Sequence, residues 1–350
     1  MVGIALLGAG IFAREQHLPA IEATGCLELK AVYSRSEEAA SSLAQHAGCE
    51  VDIYFDDPAM SGRSLDDLLA RSDIDAVSSC VTILAQPRLI KKALSAGKHV
   101  ISEKPIAQNT ECAMELIKWY HCLPNAPIWA VAENFRFNES LNHAESQVRA
   151  TGGQLRSCRL SYYGLVSKDS KYFNTEWRQS PEFQGGFLLD SGIHFVASLR
   201  LLLNAMGQDV EKLVAFSNLL EEHLQPIDTI HAILSTTGSQ NGTICISFGV
   251  KHKSGLEIEI ITTNGVVVWT PVSVKTITSA DSGGMISETK EFVYNNGVKA
   301  EFAAFGKAIV TGCPDSRQTP SQALKDLALL QALLESAQSN GLVNVNKFKD

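Results

Sequence analysis

The chain has 350 residues, 45% of them hydrophobic and 19% charged, and a formal net charge of −8. That length exceeds one ordinary core, so two domains of roughly 130 to 220 residues are expected. The composition excludes disorder, a fibre and a coiled coil, and an acidic balance without any basic run longer than a pair excludes nucleic acid as the main partner.

From the start to about residue 132, short apolar runs of strand character alternate with segments of helical period. The expected strands are VGIALLG, LELKAVYS, VDIYF, DAVSSCV, KHVISE and IWAVAE, with helices at about 12–24, 36–47, 64–71, 85–96 and 109–122. This alternation predicts a doubly wound parallel sheet, a Rossmann domain over residues 1–132. Past residue 133 the pattern changes. After a helix near 138–151 and another from about Gly186, the strands QLRSCRLSYYG, EKLVAFSNLL, DTIHAILST, GTICISFGV, GLEIEIITT and GVVVWTPVSVKTIT follow one another between turn signals such as TTGSQNG and TTNG. A large, mainly antiparallel sheet is expected there, in an α+β substrate-binding and oligomerisation domain over 133–350. Helices at about 299–311 and 320–338 close the chain.

The opening VGIALLGAGIFA has no basic leader and runs directly into Arg14 and Glu15, so it reads as a strand and a glycine turn, not a secretion signal. No apolar stretch is expected to reach the roughly 18 residues of a membrane span. The expected location is the cytoplasm, with no membrane partner. Eight cysteines lie at 26, 49, 80, 112, 122, 158, 245 and 313, none at a two- to four-residue metal spacing, and read as reduced core thiols with no metal.

Gly8, Gly10 and Ala13 spell G-x-G-x-x-A between an apolar strand and a helix, the context in which glycines admit a pyrophosphate onto helix N–H groups. A plain strand-to-helix turn is the bland alternative. An NAD site usually places an acid about 20 residues further on for the ribose hydroxyls. Here the second strand ends in Ser34 and Arg35, which favours the 2′-phosphate of NADP(H). Ser34 and Glu37 also spell an S-x-x-E capping box, which would make Arg35 a solvated first-turn residue. EKP follows the fifth strand, whose carboxyl end faces the ligand crevice; Pro105 restricts Lys104 to extended backbone and fixes where the ammonium sits. In QGGFLLDSGIHF, Asp190 and His194 are four apart, on one face of a helix, with Gly185 and Gly186 permitting close backbone approach just before them. A satisfied, half-buried histidine is the structural alternative, and as a metal site the pair lacks a third ligand.

GAGIFA, SEKP and GGFLLDSGIH, in that order and spacing, resemble the glucose-fructose oxidoreductase, inositol dehydrogenase and rhizopine-catabolism family (Gfo/Idh/MocA) over essentially the whole chain. GIFAREQHLP, VAEN and NTEWRQSPEFQGGF look like its fungal cytosolic NADP-dependent branch. The resemblance implies hydride transfer between NADP(H) and a carbinol or carbonyl carbon of a sugar, polyol or related small molecule, with Lys104, Asp190 and His194 lining the active site. It implies cofactor contacts from Gly8, Gly10, Ile11, Phe12, Ala13, Ser34, Arg35, Thr82, Glu103, Lys104, Trp177 and Arg178, and a cis Lys104–Pro105 bond. Asn134, Arg136 and Tyr163 are expected to join Asp190 and His194 at the substrate, although a packed Trp177 with a stacked Arg178, and tyrosines spent in the sheet, are ordinary structural readings. His17 and Pro19 fit the family as packing or cofactor-loop support. A non-catalytic NADP-binding regulator and a carbonyl or imine reductase of secondary metabolism are the competing readings. The apolar run VVVWTPVSV suggests a homodimer through the free face of the second sheet.

Overall fold

The structure is a computed structural model that describes residues 1–183, 186–280 and 283–348. The chain begins with β1 (Val2–Leu7), one π-helical turn (Ala13–His17) and α1 (Leu18–Glu22), followed by β2 (Leu27–Ser34), α2 (Glu37–Ala44), β3 (Asp52–Phe55), α3 (Leu65–Leu69), β4 (Ala76–Ser79), α4 (Gln86–Ser95), β5 (His99–Glu103), α5 (Thr110–His121) and β6 (Trp129–Ala132). The strands form a six-stranded sheet in the order β3-β2-β1-β4-β5-β6, parallel throughout. All residues of β1, β4 and β6 are buried, as a parallel sheet covered on both faces requires. The strand order reverses between β1 and β4, which leaves a crevice outside their carboxyl ends. Helix starts follow local chemistry: Ser64 and Asp67 form a capping box on α3, and Asn109 accepts from the Cys112 N–H at the start of α5.

The remaining elements are α6 (Glu139–Thr151), β7 (Leu155–Tyr163), α7 (Glu176–Gln179), α8 (Gly186–Asn204), β8 (Val210–Asn218), β9 (Thr229–Thr236), β10 (Asn241–Ser247), β11 (Gly255–Thr262), β12 (Gly265–Thr270), β13 (Ser273–Ser279), β14 (Met285–Glu291), α9 (Val298–Thr311), α10 (Pro320–Ser339) and β15 (Val343–Asn344). Nine strands form one sheet in the order β14-β13-β12-β11-β7-β10-β9-β8-β15, antiparallel except where β7 meets β10. The run GVVVWTPVSVKTIT, read as a single strand, is two: it turns over at Pro271 and Val272, and β12 pairs with β13. Val267, Trp269 and Val274 are thereby buried on one face, while Val266, Val268 and Ile277 take the other.

The chain divides into two compact units, Met1–Glu133 with Val298–Leu324, and Asn134–Gly297 with Lys325–Asp350. The sequence reading assigned everything after residue 132 to the second domain. Instead α9 returns to the first unit, where Val298, Phe302, Phe305 and Ala308 share a core with Ile4, Leu6, Ile21 and Leu29. In the second unit α6 and α8 cover the inner face of the sheet, and the Trp269 indole N–H donates to the Ser140 hydroxyl at 2.9 Å. By length and composition alone α8 is long and apolar enough to cross a membrane, which the sequence reading did not expect of any stretch, but nearly all of it is buried within the protein, as in a core helix. On the opposite sheet face Phe216 and Ile233 are 62% and 66% exposed.

Arg136, Arg200 and Asp326, each no more than 2% exposed, form a buried charge cluster in this unit. One Arg136 terminal nitrogen donates to both Asp326 oxygens at 2.7 Å, and Arg200 bridges Asp326 and Asp209. Burial works against the Arg200 charge, but Asp326 and Asp209 outweigh it and hold the guanidinium protonated.

Candidate active site

At the end of β1 the backbone of Gly8 has a φ of 102°, and a Cβ there would lie 2.2 Å from the Cys80 carbonyl oxygen. Only glycine fits that approach between β1 and the segment after β4. Gly10 differs, because a Cβ on it would meet nothing within 4 Å. The turn thus leaves open space beside Gly10, with half-buried Ile11 and Phe12 and buried Ala13 following, and this fits a dinucleotide whose pyrophosphate must approach the backbone closely.

At the ribose end the expected capping box between Ser34 and Glu37 does not form. β2 runs through Ser34, and the α2 N-cap is Ser36, whose hydroxyl accepts from the Ala39 N–H at 3.3 Å. Ser34 and exposed Arg35 are therefore not committed to capping. A carboxylate does come near: Asp56, after β3, accepts from the Tyr33 hydroxyl at 2.8 Å and donates its N–H to the Arg35 carbonyl at 3.3 Å. Burial, and then Asp56, push the Tyr33 phenol well up, while Arg35 and Arg88 pull the other way. Thr82, exposed, precedes the single 3₁₀ turn that leads into α4.

β5 delivers Glu103 and Lys104, and the Lys104–Pro105 bond is cis, as expected. A second cis bond, Gln225–Pro226, was not foreseen. Glu103 is 9% exposed and accepts from His17 Nε2 at 2.7 Å, while His17 Nδ1 meets the Ser78 hydroxyl at 2.8 Å. His17 is fully buried and ties the π turn to the carboxyl ends of β4 and β5. The two Glu103 oxygens take the His17 imidazole and the Lys104 backbone N–H, which ties this carboxylate into the frame of the site.

In the second unit the stretch with Asp190 and His194 is helical, so the two share a face of α8. Gly185 lies outside the described residues. Gly186, with φ of 44°, packs so closely that a Cβ would sit 2.5 Å from the Gln225 carbonyl oxygen. Arg178 Nε donates to Asp190 Oδ2 at 2.9 Å, and its guanidinium stacks 4.0 Å from the centre of the half-buried Trp177 ring. The W-R pair therefore positions Asp190. The His194 imidazole lies parallel to the Phe135 ring, 4.6 Å between centroids.

Three residues expected at the substrate are engaged within the second unit. Arg136 is spent on buried Asp326, and Asn134, 6% exposed, donates its amide to the Asn296 carbonyl, so both brace the unit. Tyr163 points to the outer sheet face, where it bonds Cys245 and carries Lys253 4.3 Å from its ring centre. Its neighbour Tyr162 faces α8 and stacks on Phe195 at 4.3 Å. Strand alternation allows only one of the two tyrosines on the α8 side.

Residues 2–121 match the oxidoreductase family with an NAD-binding Rossmann fold, and residues 150–345 match its C-terminal alpha/beta domain. The chain belongs to the Gfo/Idh/MocA oxidoreductase family. Dehydrogenase FPY6 of Fusarium mangiferae is 67% identical over 349 residues, covering 100% of both chains. A dTDP-3,4-didehydro-2,6-dideoxy-alpha-D-glucose 3-reductase of Streptomyces antibioticus is 28% identical over 267 residues, 74% of this chain and 73% of its own. Among solved structures, an oxidoreductase from Thermotoga maritima superposes with a TM-score of 0.86 at 28% identity, over 99% of each chain.

As a Gfo/Idh/MocA member the chain is an NAD(P)-binding oxidoreductase of CH–OH or carbonyl groups. Two further features are not legible in the sequence as such: it marks His17 and Glu103 separately, as support and as a cofactor contact, but not as one cluster. His17, Cys80 and Glu103 bring ligand atoms within 4.8 Å of one another, but both His17 nitrogens are engaged by Ser78 and Glu103, which makes a hydrogen-bond frame of the cluster. Arg88, on α4, joins Arg35 in the field at Tyr33. Nothing local distinguishes Arg88 from an ordinary surface arginine, and nothing near His17 announces that Ser78 and Glu103 are its partners.

Proposed function

We propose that the protein is a cytoplasmic NADP(H)-dependent oxidoreductase that moves a hydride between the nicotinamide and a carbinol or carbonyl carbon of a sugar, polyol or related small molecule. The observation that carries the cofactor choice is the end of β2, where Arg35 stands exposed and the nearby Asp56 carboxylate is engaged by Tyr33. A guanidinium there pairs with a 2′-phosphate, and the position lacks the free acid that a ribose diol prefers. The dTDP-sugar reductase among the relatives supports a sugar-like substrate.

When bound, the nicotinamide supplies or accepts the hydride. In the reducing direction Lys104 polarises the carbonyl and stabilises the developing alkoxide, and His194 delivers the proton. Asp190, held by Arg178, fixes a substrate hydroxyl. Phe135 fixes the plane of the His194 ring, which limits the directions from which it can give up a proton. The reading includes a homodimer through the outer face of the second sheet.

The test is separate titration of NADPH and NADH into the wild type and Arg35→Ala, followed by a panel of sugars, polyols and small carbonyl compounds. Loss of a charge-assisted pair of about 1.5–3 kcal/mol predicts NADPH binding weakened by roughly 10- to 150-fold, with NADH unchanged. Equal weakening of both nucleotides refutes the NADP reading. Turnover on a panel member that Lys104→Ala abolishes supports the chemistry; tight binding without turnover on any member favours a regulator.

A further inference from the structure

Tyr33, the penultimate residue of β2, joins the glycine turn to the end of β3. Its carbonyl accepts from the Gly8 N–H at 2.8 Å, and its hydroxyl donates to Asp56 Oδ2 at 2.8 Å. The pairing of Ser34 with Phe55 puts Arg35 and Asp56 side by side where β2 and β3 end, and the Asp56 N–H donates to the Arg35 carbonyl at 3.3 Å. Tyr33 is 6% exposed, whereas Arg35 and Asp56 both face solvent. The next acid, Asp57, accepts from the Ala59 N–H at 2.8 Å within its own turn.

A carboxylate beside an exposed guanidinium at this place has two alternatives to the tyrosine. It can pair with Arg35 and so occupy the cation that a 2′-phosphate needs, or it can accept from ribose hydroxyls, as the acid of an NAD site does. Both favour NADH over NADPH. The hydrogen bond from Tyr33 opposes both, because a ring packed inside the sheet holds its hydroxyl in place. Burial first, and then Asp56, keep that phenol protonated and donating, against an opposing pull from Arg35 and Arg88.

We propose that Tyr33 is a specificity-determining residue for the nucleotide: by holding Asp56 it keeps Arg35 available to the 2′-phosphate and withholds from the ribose the acid that NADH would use. This deepens the NADP(H) reading and rests on it. Tyr33 works through Asp56 and is a positioning residue.

The experiment titrates NADPH and NADH separately into the full-length wild type, Tyr33→Phe, Asp56→Asn and the double variant, following nucleotide fluorescence. Phenylalanine keeps the buried ring and removes only the donor. Loss of the hydrogen bond is expected to lower the ratio of the NADH to the NADPH dissociation constant by roughly fivefold or more in Tyr33→Phe. Adding Asp56→Asn should return the ratio to the wild-type value, since a neutral amide forms no ion pair with Arg35. An unchanged ratio in Tyr33→Phe, or a lowered one that Asp56→Asn does not restore, overturns the role of Tyr33. Asp56→Asn alone changes only an exposed side chain and keeps the test open should Tyr33→Phe fail to fold. Its ratio should stay at or above the wild-type value, and a fall would show that the carboxylate itself favours NADPH, which also overturns the proposal. Arg35→Ala separates this failure from that of the underlying reading. If it weakens NADPH alone, the NADP reading stands and the ratio judges Tyr33; if it weakens both nucleotides equally, that reading falls and the role of Tyr33 with it.

Discussion

Replacing Asp326 by Ala tests whether the buried charge cluster of the second unit is held by one carboxylate. Asp326 takes Arg136 on both oxygens at 2.7 Å and Arg200 on one of them, all three side chains being nearly inaccessible. Removing it strands Arg136 without its carboxylate and leaves Arg200 with Asp209 alone. Breaking a buried pair by deleting one member costs about 3–5 kcal/mol, because the surviving cation stays desolvated. At about 2–4 °C per kcal/mol for a unit of this size, Tm should drop by roughly 6–20 °C. Urea denaturation followed by circular dichroism reads the free energy, and a thermal melt reads the shift. A triple variant, Asp326→Leu with Arg136→Met and Arg200→Met, should recover most of the loss, since an apolar set of similar volume no longer needs compensating charge. A loss below about 1 kcal/mol in Asp326→Ala would refute the reasoning and show that water or Asp209 already compensates both arginines.

Three other outcomes follow from the geometry. Gly8→Ala should destabilise the first unit by several kcal/mol, through its 2.2 Å clash and positive φ, whereas Gly10→Ala should leave Tm unchanged and weaken dinucleotide binding; parallel melts and titrations separate the two. Burial, and then Glu103 and Glu133, hold the Glu301 carboxyl well above its ordinary range in the folded chain, so it adds no penalty below about 4.5 and removes stability as pH rises from there toward its folded pKa. The folding constant should lose about tenfold per pH unit across that window, and Glu301→Gln should flatten the slope in pH-dependent urea melts. Charging the outer sheet face with Phe216→Lys and Ile233→Lys should convert the proposed dimer to a monomer by sedimentation at micromolar concentration, and a wild type already monomeric there would remove the dimer.

Much of the fold was legible because the signals were local. The parallel strands are continuous apolar runs broken by glycine turns and capped helices, and each became an element within a few residues of its expected bounds. Gly8, Lys104, Asp190 and His194 stand at strand ends and on a helix face that spacing and resemblance mark. The remainder depends on partners far apart in sequence. The partner of Arg136 was not legible because nothing near it announces Asp326, 190 positions away. Alternation says that Tyr162 and Tyr163 face opposite sides, but only the packing of Phe195 decides which side is which. Ser34 and Glu37 met the spacing of a capping box, yet β2 extends through Ser34 and hands the cap to Ser36. Glu301 looks like any glutamate on a helix, and only the fold shows that its carboxyl is buried with an oxygen that has no hydrogen-bond partner.

The return of α9 to the first unit governs the order in which the chain can be completed during synthesis. Val298, Phe302 and Phe305 fill a core whose other members precede residue 133, and that unit extends to Leu324. A nascent chain that has emerged only to Glu133 holds every strand of the parallel sheet and still lacks part of its interior. The second unit, in turn, takes its last segment from Lys325 onward. The first unit therefore cannot complete its interior until the chain up to α9 has been made, by which point every strand of the second sheet but β15 has also emerged, so the usual domain-by-domain order from the N-terminus does not follow from this connectivity.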